Sequence, residues 1–151
     1  MRPSEKKRRI ITHPIAQPAM TSNALRQPCP PCTCDCDRDA LVDGPAADAR
    51  ILRLTLHEEK RLLVRLESIT DLPELEMLQQ RMYEQLGIVL EIGPGLNEVR
   101  TMRGIGFRFA PQAGLCRKTR KSIPAAIRRS FEAHPEIVYA LLDSQDLLRG
   151  A

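Results

Sequence analysis

Large aromatic rings are nearly absent from this chain of 151 residues. It has no tryptophan, two tyrosines and three phenylalanines, all five between Tyr83 and Tyr139. The first third therefore brings no ring to a core, which must be built mainly from aliphatic side chains. Long hydrophobic runs are missing too. None approaches the roughly 18 apolar residues of a membrane-spanning helix. Ile10-Ile11-Thr12-His13-Pro14, behind the basic Lys6-Lys7-Arg8-Arg9, is too short for a signal-peptide core. No membrane partner and a cytoplasmic location are expected. Catalytic motifs are lacking as well. His13, His57 and His134 stand in unrelated contexts, and His57-Glu58-Glu59 does not have the spacing of a metalloprotease helix. Gly93-x-Gly95 and Gly104-x-Gly106 lack the following helix that a phosphate-cradling loop requires. A binding role, not an enzyme, is expected.

What is present is unevenly spread. The net charge is +4, yet residues 1–28 carry +5, residues 29–49 carry −4, residues 50–112 are neutral and residues 113–151 carry +3. Basic ends around a neutral middle suit a polyanionic partner, and equally a solvated surface. Seven of the twelve prolines fall within residues 1–49, where no apolar periodicity survives. Such a segment cannot bury enough surface to offset its ordering entropy, so residues 1–49 are expected to form a disordered arm, basic and then rich in Cys and Asp. One domain is expected over residues 50–149.

Within that domain, Ile51-Leu52-Arg53-Leu54 reads as a short strand. Thr55 followed by Glu58 is a capping-box pattern that opens a helix to about Ser68. A second helix start lies at Asp71, with Pro73 in the first turn and Glu74 three residues on. Leu75, Leu78, Met82 and Leu86 recur at helical spacing until Gly87 supplies a left-handed stop. Ile88–Ile92 reads as a strand and Gly93–Asn97 as a turn. Glu98–Phe109 reads as extended, either as one strand antiparallel to 88–92 or as a hairpin reversing at Arg103-Gly104-Ile105-Gly106. Ser122 with Pro124 two residues on starts a helix to about Ala133, which His134-Pro135 interrupts before a further helical stretch. The class is α+β: two helices, a small antiparallel sheet or hairpin, then C-terminal helices.

The basic extended segment is the most specific of the candidate sites. In a strand, Val99, Thr101, Arg103, Ile105, Phe107 and Phe109 share one face, while Arg100, Met102 and Arg108 share the other with two glycines. Arginines on a glycine-relieved hairpin are well placed for phosphates, although a strand with a solvated arginine face has the same composition. Val99-Arg100-Thr101-Met102-Arg103-Gly104-Ile105-Gly106-Phe107-Arg108-Phe109 resembles the wing of the winged-helix output domain in OmpR-type response regulators. Leu52-Arg53-Leu54-Thr55-x-x-Glu58 with Leu62-Leu63 resembles the start of that domain. The resemblance covers residues 51–111 and implies a degenerate winged helix, one helix short and with no receiver domain, that touches DNA through Arg100, Arg103 and Arg108.

Five cysteines, an odd number, speak against a disulfide framework and for free thiols or metal. Cys29, Cys32, Cys34 and Cys36 stand at C-x-x-C and C-x-C spacings that can bite one soft cation such as zinc. Cys116, His13 and His57 are the ligands available outside that run. A reduced flexible linker is the competing reading. The third candidate is Arg117-Lys118-Thr119-Arg120-Lys121, four cations in five residues ahead of a helix, a credible footprint for a phosphate backbone. Together these features favour a small accessory or regulatory protein that binds nucleic acid through Arg100, Arg103, Arg108, Arg117, Lys118, Arg120 and Lys121. The alternative is an adaptor or inhibitor with a metal-binding Cys-rich arm, docking a protein partner on residues 122–149.

Overall fold

Two capped helices set the frame. Asp71 accepts a hydrogen bond from the Glu74 amide at 2.9 Å, and the Glu74 carboxylate reaches back to the Thr70 amide at 3.1 Å. That reciprocal cap starts α3 (Leu72–Leu86), and Gly87 at φ 71° ends it, its amide closing onto the Tyr83 carbonyl. Thr55 caps α2 (Leu56–Glu67) through the Glu58 amide at 3.3 Å. The computed structural model describes residues 26–30, 34–44, 48–95 and 102–146. Around α2 and α3 stand α1 (Arg38–Asp43), β1 (Leu90–Pro94), β2 (Ile105–Phe109), α4 (Arg117–Ala133) and α5 (Pro135–Ser144), an α+β fold. Among the described residues no helix is long and apolar enough to cross a membrane.

The two strands pair antiparallel, with Leu90 opposite Phe109, Ile92 opposite Phe107 and Pro94 opposite Ile105. Leu90, Ile92 and Ile105 are buried, and Phe107 stacks on Phe131 of α4 with ring centroids 6.2 Å apart. Of the face read from the sequence as apolar, Ile105, Phe107 and Phe109 do meet the helices, whereas Arg103 is exposed before the strand begins and Val99 and Thr101 lie outside the described residues. A hairpin reversing at 103–106 does not occur. Met102–Gly104 is a single 3₁₀ turn, and Ile105 already opens the strand. The strand partner is instead residues 90–94, because that register puts Ile105, Phe107 and Phe109 on the core side together.

Helices α2 and α4 are the most extensively packed helix pair, and they run parallel. Thr119 near the start of α4 donates to Glu59 near the start of α2 at 3.1 Å, while Arg129 pairs with Glu67 at their far ends. Leu66, Ile69, Ile123, Ile127 and Phe131 are buried between the layers. Helix α5 closes the core with Ile137, Val138 and Leu141, and the Gln145 amide beyond it donates to the Ile92 carbonyl at 2.9 Å.

Three further expectations are corrected. Residues 51–54 are not a strand: Ala49–Arg53 is a 3₁₀ turn, capped by the Asp48 carboxylate on the Arg50 amide at 3.1 Å. Ile51, Leu52 and Leu54 are all buried, which a turn allows and an alternating strand does not. Helix α4 starts at Arg117 rather than at Ser122. The Ser122 hydroxyl, read as a cap, donates back to the Lys118 carbonyl at 2.8 Å within the helix, and Pro124 lies inside it. The buried stripe Thr119, Ile123, Ala126, Ile127, Ser130 and Phe131 shows that packing carries the helix one turn earlier than its proline suggests. Finally, structure reaches back before Arg50. Leu41 on α1 joins the core, Cys36 is buried, and the Arg26 amide donates to the Leu52 carbonyl at 2.7 Å. Residues 1–25 of the expected arm lie outside the described residues.

Candidate metal centre and basic helix start

One glycine brings two distant stretches of chain together. Gly114 has φ +87°, a left-handed conformation, and a Cβ there would stand 2.6 Å from both Ile51 Cγ2 and Leu41 Cδ1. Freed of a side chain, its backbone approaches the loop of Cys36 closely enough for its amide to donate to the Cys36 carbonyl at 2.5 Å. Asp37, left-handed at φ 54°, then turns the chain away from Cys36 into α1. Two residues after Gly114, Cys116 is the N-cap of α4, its side chain making no cap hydrogen bond and pointing its sulfur elsewhere.

That sulfur meets three others. The Sγ atoms of Cys29, Cys34, Cys36 and Cys116 all lie within 4.8 Å of one another. Cys29 stands 3.5 Å from Cys116 and 3.8 Å from Cys36, and all four are free thiols. Cys36 is buried and the other three are half-buried. Such a group is able to bind a metal ion such as zinc.

The Arg26 guanidinium runs alongside. It donates to the Gly114 carbonyl at 2.5 Å and to the Cys36 sulfur at 3.7 Å, while its buried Nε has no partner. The Arg26 carbonyl in turn accepts two bonds from the Arg38 guanidinium, at 3.2 and 2.8 Å. Burial and the hydrogen bond with Cys29 push the Cys116 thiol far above the ordinary thiol range, with Arg26 pulling weakly the other way. Burial likewise raises Cys29. Burial also pushes on Cys34, but hydrogen bonds from Cys36 and Cys116 outweigh it and hold that thiol below its ordinary value. A divalent cation among the sulfurs would favour the thiolate forms over the protonated ones that burial favours at Cys29 and Cys116.

No family model, curated protein or solved structure matches the chain. What the centre is has to be read from its own geometry.

Of the cysteines singled out in the sequence, Cys29, Cys34 and Cys36 meet here, and Cys32 lies outside the described residues. The member that sequence reasoning did not place is Cys116, 87 positions from Cys29. Cys116 stood in the sequence only as one of three ligands available outside the run, Arg26 was missed, and no local spacing marks either. His57 is exposed on α2 and is not part of the cluster.

The basic candidates divide. Arg117, Lys118, Arg120 and Lys121 form the first two turns of α4; all are exposed, and none pairs with a carboxylate among the described residues. Arg103 is exposed on the 3₁₀ turn. Arg108 points outward from β2 but lies 3.6 Å from the Glu91 carboxylate across the strand pair. Arg100 lies outside the described residues. A cleft beside that pair, lined by Ile92, Gly93, Pro94 and Gln145, brings no further acid or base to a bound molecule.

Proposed function

We propose that this protein is a nucleic-acid-binding accessory or regulatory module, with a structural zinc ion held in the cysteine cluster. The observation that carries the reading is the start of α4. Four exposed cations without carboxylate partners occupy its first two turns. Cations are disfavoured at a helix N-terminus by about 0.3–1 kcal/mol each, because the free amides there already make that end positive. An arrangement that costs stability in the isolated protein is compensated when a polyanion such as a phosphate backbone lies against it. Arg103 is exposed separately, on the 3₁₀ turn before β2, and the winged-helix resemblance of residues 51–111 adds it together with Arg100 and Arg108. Arg108 contributes less, being shared with Glu91. The ion's part is to fasten residues 26–30 and 34–36 against Gly114 and Cys116, so that α4 begins at a fixed point.

The adaptor reading finds less support. Residues 122–146 turn Ile123, Ile127, Phe131, Ile137, Val138 and Leu141 into the protein's own core, and Tyr139 is the large hydrophobic residue they leave exposed.

Electrophoretic shift with a salt titration tests the proposal on duplex DNA, single-stranded DNA and RNA. Arg120→Ala and Lys118→Ala should each weaken binding uniformly across sequences and lower the salt slope by about one unit. Absence of any salt-dependent affinity at low ionic strength would transfer the reading to the adaptor.

A further inference from the structure

We infer that Cys29, Cys34, Cys36 and Cys116 form a closed mononuclear tetrathiolate site for one zinc-class divalent ion, with Arg26 as its outer hydrogen-bond donor and counter-charge. The inference deepens the function proposed above and takes from it only the choice of zinc.

The first ground is spacing. A zinc–sulfur bond of about 2.3 Å in a tetrahedral shell puts neighbouring sulfurs about 3.8 Å apart. The observed separations of 3.5 and 3.8 Å, with all four sulfurs inside 4.8 Å, enclose a space one ion wide. A disulfide needs about 2.05 Å, so these are not bonded pairs. Four protein sulfurs leave no open position, the mark of a structural rather than a catalytic ion.

The second ground is Arg26, which is independent of the sulfur spacing. Its guanidinium is part-buried, points at the Cys36 sulfur, and pairs with no carboxylate among the described residues. Four neutral thiols give such a cation no counter-charge. Four thiolates around a divalent ion carry negative charge in excess of the ion's own, and the guanidinium then faces an anion. The basic first turn of α4 stands beside the same centre. Binding exchanges protons for metal: each S–H loses H⁺ to solvent, four metal–sulfur bonds form, and no electron moves.

The third ground is the kind of chain that delivers the ligands. Cys36 and Cys116 are held by backbone, through the Gly114 amide on the Cys36 carbonyl and through the left-handed Gly114 two residues before Cys116. Three ligands from within residues 29–36 and one from a helix start 80 positions further on avoid the strain of packing a whole shell into those eight residues.

The test uses the full chain, purified reduced, with metal content by native mass spectrometry and cobalt(II) as spectroscopic probe. One ion per chain is expected, and the cobalt form should show the intense ligand-field and sulfur-to-metal charge-transfer bands of a tetrahedral tetrathiolate. Cys116→Ser should cut affinity by more than the roughly tenfold expected for an outer-shell change such as Arg26→Met. Should Cys116→Ser fail to fold, Cys116→His keeps four ligands and should shift the cobalt bands to those of a three-sulfur, one-nitrogen shell. Cys32→Ser should bind as the unaltered chain does. Loss of the ion in Cys32→Ser but not in the Cys116 variants would overturn the site, as would a polynuclear iron–sulfur spectrum or isolation of Cys29 and Cys116 as a disulfide in the reduced protein. Unchanged affinity in Arg26→Met would remove Arg26 from the proposal. The ion is measured without nucleic acid: a loaded protein indifferent to DNA sinks only the nucleic-acid reading, and a metal-free protein that binds DNA sinks the site and its zinc while the nucleic-acid reading stands.

Discussion

The interior around Phe131 and the junction around Gly114 hold the chain in opposite ways. The interior is apolar and redundant. Phe131 stacks on Phe107 and lies among Leu66, Ile127, Val138 and their neighbours, all closed to solvent, so many small contacts share the work. The junction rests on few atoms: four sulfurs, one guanidinium, and a glycine with no room for a Cβ. An interior of this kind tolerates changes that conserve volume, whereas a junction of that kind tolerates almost none, whatever their size. The two regions should therefore fail differently.

The largest effect is expected in the interior. Phe131→Ala should destabilise the protein by about 3–5 kcal/mol in chemical denaturation, with or without metal. A loss that vanished on adding zinc would show the two regions to be one cooperative unit. Gly114→Ala comes next, at about 1–3 kcal/mol, because it forces a left-handed alanine and a collision with Ile51 and Leu41. Unlike the Phe131 change, it should also weaken zinc binding, read by competition with a chromophoric chelator.

The pH response should separate the loaded and metal-free junctions by sign. Without metal, burial holds Cys29 and, most strongly, Cys116 above the ordinary thiol value of 9.0, which outweighs the opposite shift at Cys34. A raised folded-state pKa contributes stability that is complete below that value and is lost as pH rises past it. With metal, the thiolates are the bound form, so protons compete and the junction loosens as pH falls. Hydrogen exchange at residues 34–44 in both forms would show it; the same sign in both would refute a thiolate site. The smallest effect is expected at Asp48, whose bonds to Arg50 hold its carboxyl below the usual value of 3.8. Its stabilisation is present above that pH and fades as pH falls through the depressed value. Because the pair is substantially exposed, Asp48→Asn should cost less than about 1 kcal/mol in thermal melting.

What was legible in the sequence follows the same division. The caps at Thr55 and Asp71, the stop at Gly87 and the inward face of Ile105, Phe107 and Phe109 are local signals, written within a few residues of the structure they specify. The turn at 49–53 was not legible, since three buried residues in four read equally as a strand until their direction is known. Nor was the true start of α4. Ser122 and Pro124 imitate an N-terminus, and only packing of Thr119 against α2 shows that the helix has already begun. The cysteine run pointed to a cluster able to bind metal, and three of its members do lie together. Its partners Cys116 and Arg26 could not be found by spacing, because the fold alone makes them neighbours.

The parallel alignment of α2 with α4 has a kinetic consequence. Helices that follow one another through a short loop run antiparallel and can dock as soon as both exist. Here the partners that set the pair, Glu59 with Thr119 and Glu67 with Arg129, are 60 and 62 positions apart, with α3 and both strands between them. The central helix contact must therefore wait for the ends of a long loop to meet, at an entropy cost that local helix formation does nothing to reduce. With its most extensive helix contact closed across so long a loop, the chain should fold more slowly than a bundle of the same length whose neighbouring helices pair in order.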